Sequence, residues 1–206
     1  MTRARVKTER IVSALLLCGS FFAASAQQPQ PSEPLNSSGQ ITINGHSAPY
    51  LVRHLPISAF PQLPTPVQDQ LTLRGCLIPQ TYQAHRPENV VHASLERPGS
   101  SDWAVLCSVG GTVSLLVFFD GAAANPSVLS KTIETSCLQW HNAAGILGFD
   151  WAIDPASPQD VHVAQLGMRR LPSRIDHDAL ADSLIDQRTL YHFYSSSNWT
   201  LIDTAD

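Results

Sequence analysis

Asp176-His177-Asp178, with Asp182 one helical turn beyond Asp178, is the densest group of potential metal ligands in the chain. One imidazole and several carboxylate oxygens form a set that divalent metals such as zinc accept. The same residues have a simpler reading. Acidic side chains ahead of the apolar run Ala179 to Ile185 would cap free N–H groups and oppose the positive end of a helix dipole. The eight histidines stand at 46, 54, 85, 92, 141, 162, 177 and 192. No two share the i, i+2 or i+4 spacings that let one element chelate a metal, and there is no His-Glu-x-x-His. Neither Gly-x-Ser-x-Gly nor Ser-x-x-Lys occurs, so no serine has a recognisable nucleophile setting. Glu88, Glu96, Asp102, Glu134 and Asp150 are candidates for a glycosidase-type carboxylate pair, although solvation is the usual task of such residues in an acidic domain. Trp140 and Trp199 are candidates for stacking on a ligand, whereas Trp103, inside an apolar block, reads as core.

The cysteines fix a compartment before they fix a role. Arg3, Arg5, Lys7 and Arg10 precede an uncharged run from Ile11 to Ala24, and Ala24-Ser25-Ala26 offers the small residues at which signal peptidase cuts. Residues 1–26 therefore read as a cleavable export signal. Cys18 follows the bulky Leu17, which does not suit lipidation, and would leave with the signal. Cys76, Cys107 and Cys137 remain, and an oxidising compartment pairs two of them. Cys76 with Cys107 is the preferred pairing, and Cys107 with Cys137 is the alternative. The odd cysteine has no neighbouring histidine in sequence to activate it.

Cleavage would leave nine basic residues against sixteen acidic ones, a net charge near −7. Binding to nucleic acid depends on clustered Lys and Arg, so this composition argues against it. No apolar run approaches the roughly 20 residues of a membrane-spanning helix. No cofactor is implied.

The elements that must position these residues are mostly strands. Residues 27–40, rich in Gln, Pro, Ser and Asn, read as a disordered linker ahead of one globular domain over 41–206. Eleven of the 15 prolines precede residue 100, which favours extended structure there. Val67 to Arg74 is the exception: Pro66 suits a first helical turn and Gly75 a helix stop. Val90 to Leu95, Trp103 to Cys107 and Val113 to Phe119 read as an antiparallel meander, with a tight hairpin at Gly110-Gly111. Leu115 to Phe119 is apolar at consecutive positions, so that strand should be covered on both faces. Further strands are expected at Lys131 to Leu138, Gly148 to Ile153 and Val161 to Leu166, a second helix at Ala179 to Ile185, and a closing hairpin from Thr189 to Ile202. The fold class is mainly β (α+β), an antiparallel sheet with two short helices.

Arg74-Gly75-Cys76-Leu77-Ile78-Pro79-Gln80, Pro87-Glu88-Asn89-Val90-Val91 and Ser101-Asp102-Trp103-Ala104-Val105-Leu106-Cys107, with Asp176-His177-Asp178, Trp199 and Asp206, resemble a group of uncharacterised exported bacterial proteins. The hairpin around Asp102 is more distantly similar to a single blade hairpin of FG-GAP or VCBS-type repeats. Arg97 to Asp102 offers one carboxylate and two hydroxyls, fewer oxygens than a calcium loop needs. The reading that follows is an exported, non-catalytic module binding a protein or envelope component. Its alternatives are a small hydrolase or metal-dependent enzyme built on Asp176, His177 and Asp178, and a secreted enzyme inhibitor with a protruding loop in place of a cleft.

Overall fold

The computed structural model describes residues 35–166 and 175–203. Its elements run β1 (Leu35–Ile43), β2 (His46–Pro56), α1 (Thr65–Leu73), β3 (Leu77–Gln80), β4 (Val90–Ala93), β5 (Asp102–Val109), β6 (Thr112–Phe118) and β7 (Ser127–Ile133). They continue through β8 (Leu138–His141), β9 (Ile146–Phe149), β10 (Trp151–Ala156), α2 (Pro158–Gln165), β11 (Ala179–Leu184), β12 (Arg188–Ser195) and β13 (Asn198–Asp203). Among the described residues, β1 to β9 form one sheet in the order β7-β6-β5-β3-β2-β9-β8, with β1 alongside β2 and β4 alongside β5. Strands β10 to β13 form a second sheet of sequential antiparallel neighbours. All pairings are antiparallel except β2 with β9, where Tyr50 faces Leu147 and Leu51 faces Gly148.

The central meander forms because its alternation feeds two cores at once. Ala104 and Leu106 on β5, with Val113, Leu115 and Val117 on β6, join Val52, Phe149, Trp151, Ile153 and Leu180 between the sheets. Val105 and Cys107 on β5, with Leu116 and Phe118 on β6, face the other way onto Phe60, Val67 and Leu71 of the α1 region. Each fully buried Leu or Phe contributes roughly 1.5–3 kcal/mol, so two-sided burial makes β5 and β6 the most heavily stabilised strands. Gly110 and Gly111, at φ 57° and 77°, make the two-residue turn that this register requires. Cys76 and Cys107 lie at disulfide distance, with Cα atoms 5.3 Å apart, and tie the end of α1 to β5. Pro66 lies in the first turn of α1, and Gly75 beyond its end takes φ 69°.

Several expectations need correction. Leu35 to Gln40, assigned to a linker, are the first part of β1, because their backbone pairs with β2 even though their side chains bury little. Residues 27–34 lie outside the described residues, as do residues 1–26, expected from sequence to be an export signal. Val161 to Leu166 is not a strand: Ser157 and Asp160 form a reciprocal capping box around Pro158 and start α2. Ala179 to Ile185 is not a helix. Leu180 and Asp182 turn toward the inter-sheet core while Ala179 and Ala181 turn toward α2, so β11 alternates as a strand does. A buried aspartate in an apolar slot hid that period. The Lys131 to Leu138 strand breaks at a 3-10 turn over Glu134–Cys137, and the Gly148 to Ile153 strand breaks at Asp150.

One side chain joins the two sheets. Asn89 is buried, with φ 68°, and its amide nitrogen donates to Pro79 O (2.7 Å) and Trp151 O (3.2 Å). Its amide oxygen accepts from Ile153 N at 3.1 Å, and its own carbonyl accepts from Leu106 N at 3.0 Å. The side chain thereby gives β10 what a neighbouring strand would give, an acceptor and a donor two residues apart. Asn89→Ala removes the amide partner of Trp151 O and Ile153 N, leaves Pro79 O with the Gln80 amide at 3.3 Å, and places a residue without a side-chain amide at positive φ, so it should cost roughly 2–4 kcal/mol. Urea unfolding checks this: a midpoint within error of the wild type would show that the sheets do not depend on this bridge.

Candidate functional site

A groove of about 1160 Å³ runs between the Thr81–His92 segment and the edge of the second sheet. One wall carries Arg86, Glu88 and His92. The other carries Asp154 from β10 and, from the β11–β12 turn and beyond, Asp186, Arg188 and Tyr191.

The first wall is held rigidly by its own polar groups. The Arg53 guanidinium donates to the carbonyls of Thr81 (2.6 Å), Tyr82 (2.9 Å) and Ala84 (3.1 Å). Gln80 grips the Glu88 backbone from both sides, accepting from its N–H at 2.9 Å and donating to its carbonyl at 3.1 Å. The Thr81 hydroxyl then donates to the Glu88 carboxylate at 2.8 Å, which fixes its direction. Tyr82 packs so closely on β9 that a Cβ on Gly148 would lie 2.5 Å from it. Such preorganisation lowers the ordering cost of binding.

Asp154 is solvent-exposed by area but lies in a concave setting. Loss of solvation there raises its carboxyl above the ordinary value; the nearby Glu88 charge raises it further, and Arg86 pulls it back. Three carboxylates, Glu88, Asp154 and Asp186, and two guanidinium groups line one groove, an arrangement suited to a ligand carrying polar groups of both signs.

Four other carboxylates, Asp102, Glu134, Asp150 and Asp182, are tied into buried networks. Glu134 accepts from His54 Nε2 and the Ser108 hydroxyl, both at 2.5 Å, while His54 Nδ1 faces Leu35 O at 2.9 Å. Asp182 accepts from Trp151 Nε1 (2.5 Å) and pairs with His192 (3.0 Å). Asp150 pairs with His141 at 2.8 Å, and the His141 ring stacks on Tyr82. Burial raises the Asp150 carboxyl despite that partner. Asp102, fully buried, accepts from Leu95 N, Glu96 N, Asp120 N and the Ser100 hydroxyl, and so closes two loops. Ser108 contacts the carboxylate and not the imidazole, so these three residues do not form a nucleophilic triad.

The residues singled out from sequence do not come together. The Asp178 carboxylate accepts from Ser94 N at 3.0 Å, and Asp178 N donates back to Ser94 O at 3.1 Å, pinning the start of β11 to the end of β4. His177 is buried against Phe193, with ring centroids 4.5 Å apart, and Asp176 is exposed. With β11 a strand, the helix-cap reading of these three residues falls. Among the described residues no group of three His, Cys, Asp or Glu is placed to hold a metal ion. Cys137 is a buried free thiol, pushed up to about 11 chiefly by burial, which leaves it protonated and a poor nucleophile at neutral pH. Trp140 stands exposed on β8, while Trp199 packs with Phe119 and Tyr194 at the core margin. His92 lines the groove, stacks on buried Trp103 and bonds the Ser101 hydroxyl at 2.8 Å. His162, expected on a strand, is exposed on α2.

Sequence reasoning missed Arg86, Asp154, Asp186 and Arg188. They are isolated charges in separate segments, and only the folding of β10 to β12 against the 81–92 segment brings them to one groove. Comparisons with protein-family models, curated proteins and solved structures returned no match.

The Glu134 network has a pH signature. Burial alone would raise the Glu134 carboxyl, but the His54 and Ser108 hydrogen bonds and the His54 charge outweigh it and hold it below its ordinary 4.5. A carboxylate depressed in the folded state contributes stability that is present above 4.5 and is lost as pH falls through the lower folded value. Glu134→Gln should therefore lower stability at neutral pH and lose less of it on acidification than the wild type. Thermal melts at neutral and acid pH compare the two, and parallel curves would show that Glu134 is not linked to folding.

Proposed function

We propose that this protein is an exported, non-catalytic binding module, and that the groove between the 81–92 segment and the β10 edge receives a polar segment of a partner protein or envelope component. The observation that carries this reading is the preorganised, mixed-charge wall: Glu88 is aimed by Thr81 and Gln80 with Arg86 beside it, and Asp154 lies across the groove. Ligand sites are concave and largely preformed, with a few placed polar groups that set orientation. An inhibitor acting through one projecting loop would have no use for such a cleft.

Export is supported by the basic and apolar leader, by the Cys76–Cys107 pair and by the motif resemblance to exported bacterial proteins. No helix among the described residues is long and apolar enough to cross a membrane. The hydrolase alternative keeps one specific support. Asp154 is raised and Glu88 lies near it, the kind of asymmetry that acid–base chemistry on a glycan would use.

Amide NMR titration with short synthetic peptides, one acidic, one basic and one carrying both charges, together with a soluble glycan strand, distinguishes these readings. Binding should shift resonances of Arg86, Glu88, Ala152, Asp154 and Asp186, prefer the peptide carrying both charges, and weaken about ten-fold or more in the Glu88→Gln and Arg86→Gln variants. Cleavage of the glycan strand that disappears in Asp154→Asn would favour the hydrolase instead. Shifts confined to residues outside the groove would remove the groove from the function.

A further inference from the structure

Strands β1 and β2 form a ribbon nine pairs long, closed by Asn44 and Gly45 at φ 50° and 80°. A two-residue turn of this type makes the flanking pair, Ile43 and His46, a mutually hydrogen-bonded one. Bonded and non-bonded pairs alternate along an antiparallel ribbon, so the backbone groups of Ile43, Ile41, Gly39, Ser37 and Leu35 point to β2. Pro49, which has no N–H, faces Gln40 at a non-bonded pair, as this phase requires. The backbone groups of Asn36, Ser38, Gln40 and Thr42 therefore point outward, and no strand pairs with them among the described residues.

The other free strand edges carry devices that discourage further pairing. On β10, Pro155 offers no donor and Asn89 occupies Trp151 O and Ile153 N. Strand β7 has a register break opposite Leu115/Leu116 and an exposed Lys131 at its centre. Strands β4 and β8 are only four residues long and β13 six. Strand β1 has nine residues in unbroken register, with no charge and no proline.

Its sequence is also complementary to itself. An antiparallel copy centred on Gly39 sets Leu35 opposite Ile43, Ser37 opposite Ile41, Asn36 opposite Thr42 and Ser38 opposite Gln40. Leu35 and Ile43, 54% and 42% exposed, would then cover one another twice about the two-fold axis. They do so in non-bonded pairs, where side chains approach most closely. Ile41 lies on the same face, and so does the Tyr50 ring, which crosses Gly39 so closely that a Cβ there would lie 2.8 Å from it. The opposite face, Asn36, Ser38, Gln40 and Thr42, is wholly polar.

We propose that the outer edge of β1 is a self-association surface whose occupant is β1 of a second copy of this chain, paired antiparallel about Gly39 to join the two sheets into one. This site is separate from the groove and does not rest on the binding reading.

Sedimentation velocity over a concentration series tests it on the full chain. The wild type should shift toward twice 22.4 kDa as concentration rises. Ser38→Pro removes a donor that points away from β2, so it should leave the thermal melt unchanged while weakening association about ten-fold or more. The double variant Ser37→Cys, Ile41→Cys should form a dimer on oxidation that a non-reducing gel resolves, since 37 and 41 are too far apart on one strand to bridge within a chain. A wild type that stays monomeric throughout, a dimer that survives Ser38→Pro, or a double variant that fails to cross-link would each overturn the proposal.

Discussion

Beside the shared core and the Asp178–Ser94 bonds, the two sheets are joined by Asn89, which gives the edge of β10 the hydrogen bonds that no strand supplies among the described residues. A buried edge leaves unpaired N–H and C=O groups, each costing about 1–3 kcal/mol if nothing reaches it. A single amide at positive φ satisfies two of them and reaches Pro79 as well. Glu88, one residue before it, takes its place on the groove wall from the same anchoring. The feature that joins the cores also sets the geometry of the candidate site, so fold and site are not separable here.

Buried acid–base pairs follow a common pattern. His54–Glu134 links segments 80 residues apart, His141–Asp150 and His192–Asp182 link positions only 9 and 10 residues apart, and each pair is shielded from solvent. Truncating one partner of such a pair leaves an uncompensated charge or lone pair, which makes the pair a specifying device more than a source of net stability. These residues would attract attention as catalytic candidates in isolation. Their partners are instead the backbone and side chains of the scaffold, whereas Asp154 stands at the surface of the groove.

The fold was legible where the hydrophobic period had no competitor. Val90 to Phe119 alternates over two cores, the glycine pair marks the hairpin, and Pro66 and Gly75 bracket α1. It was illegible where a polar side chain occupied a core position. Asp182 satisfies Trp151 and His192 inside the protein, and its presence in the 179–185 segment imitated the polar face of a helix. Leu35 to Gln40 failed for the opposite reason: the strand is held by backbone pairing with β2, which composition does not report. The candidate site was the least legible part. Its charges come from three separate segments, and no local spacing encodes their meeting.

The parallel contact of β2 with β9 bears on how the chain comes to be folded. Tyr50 and Leu51 must wait for Leu147 and Gly148, nearly one hundred residues later, before the β8–β9 end of the large sheet can join β2. Contacts of such long sequence separation slow folding, because loop entropy is spent before pairing returns any gain. If the polypeptide crosses a membrane unfolded, the Tyr50–Leu51 stretch of the β2 edge stays open until β9 emerges, although β3 can already pair with the stretch beyond it.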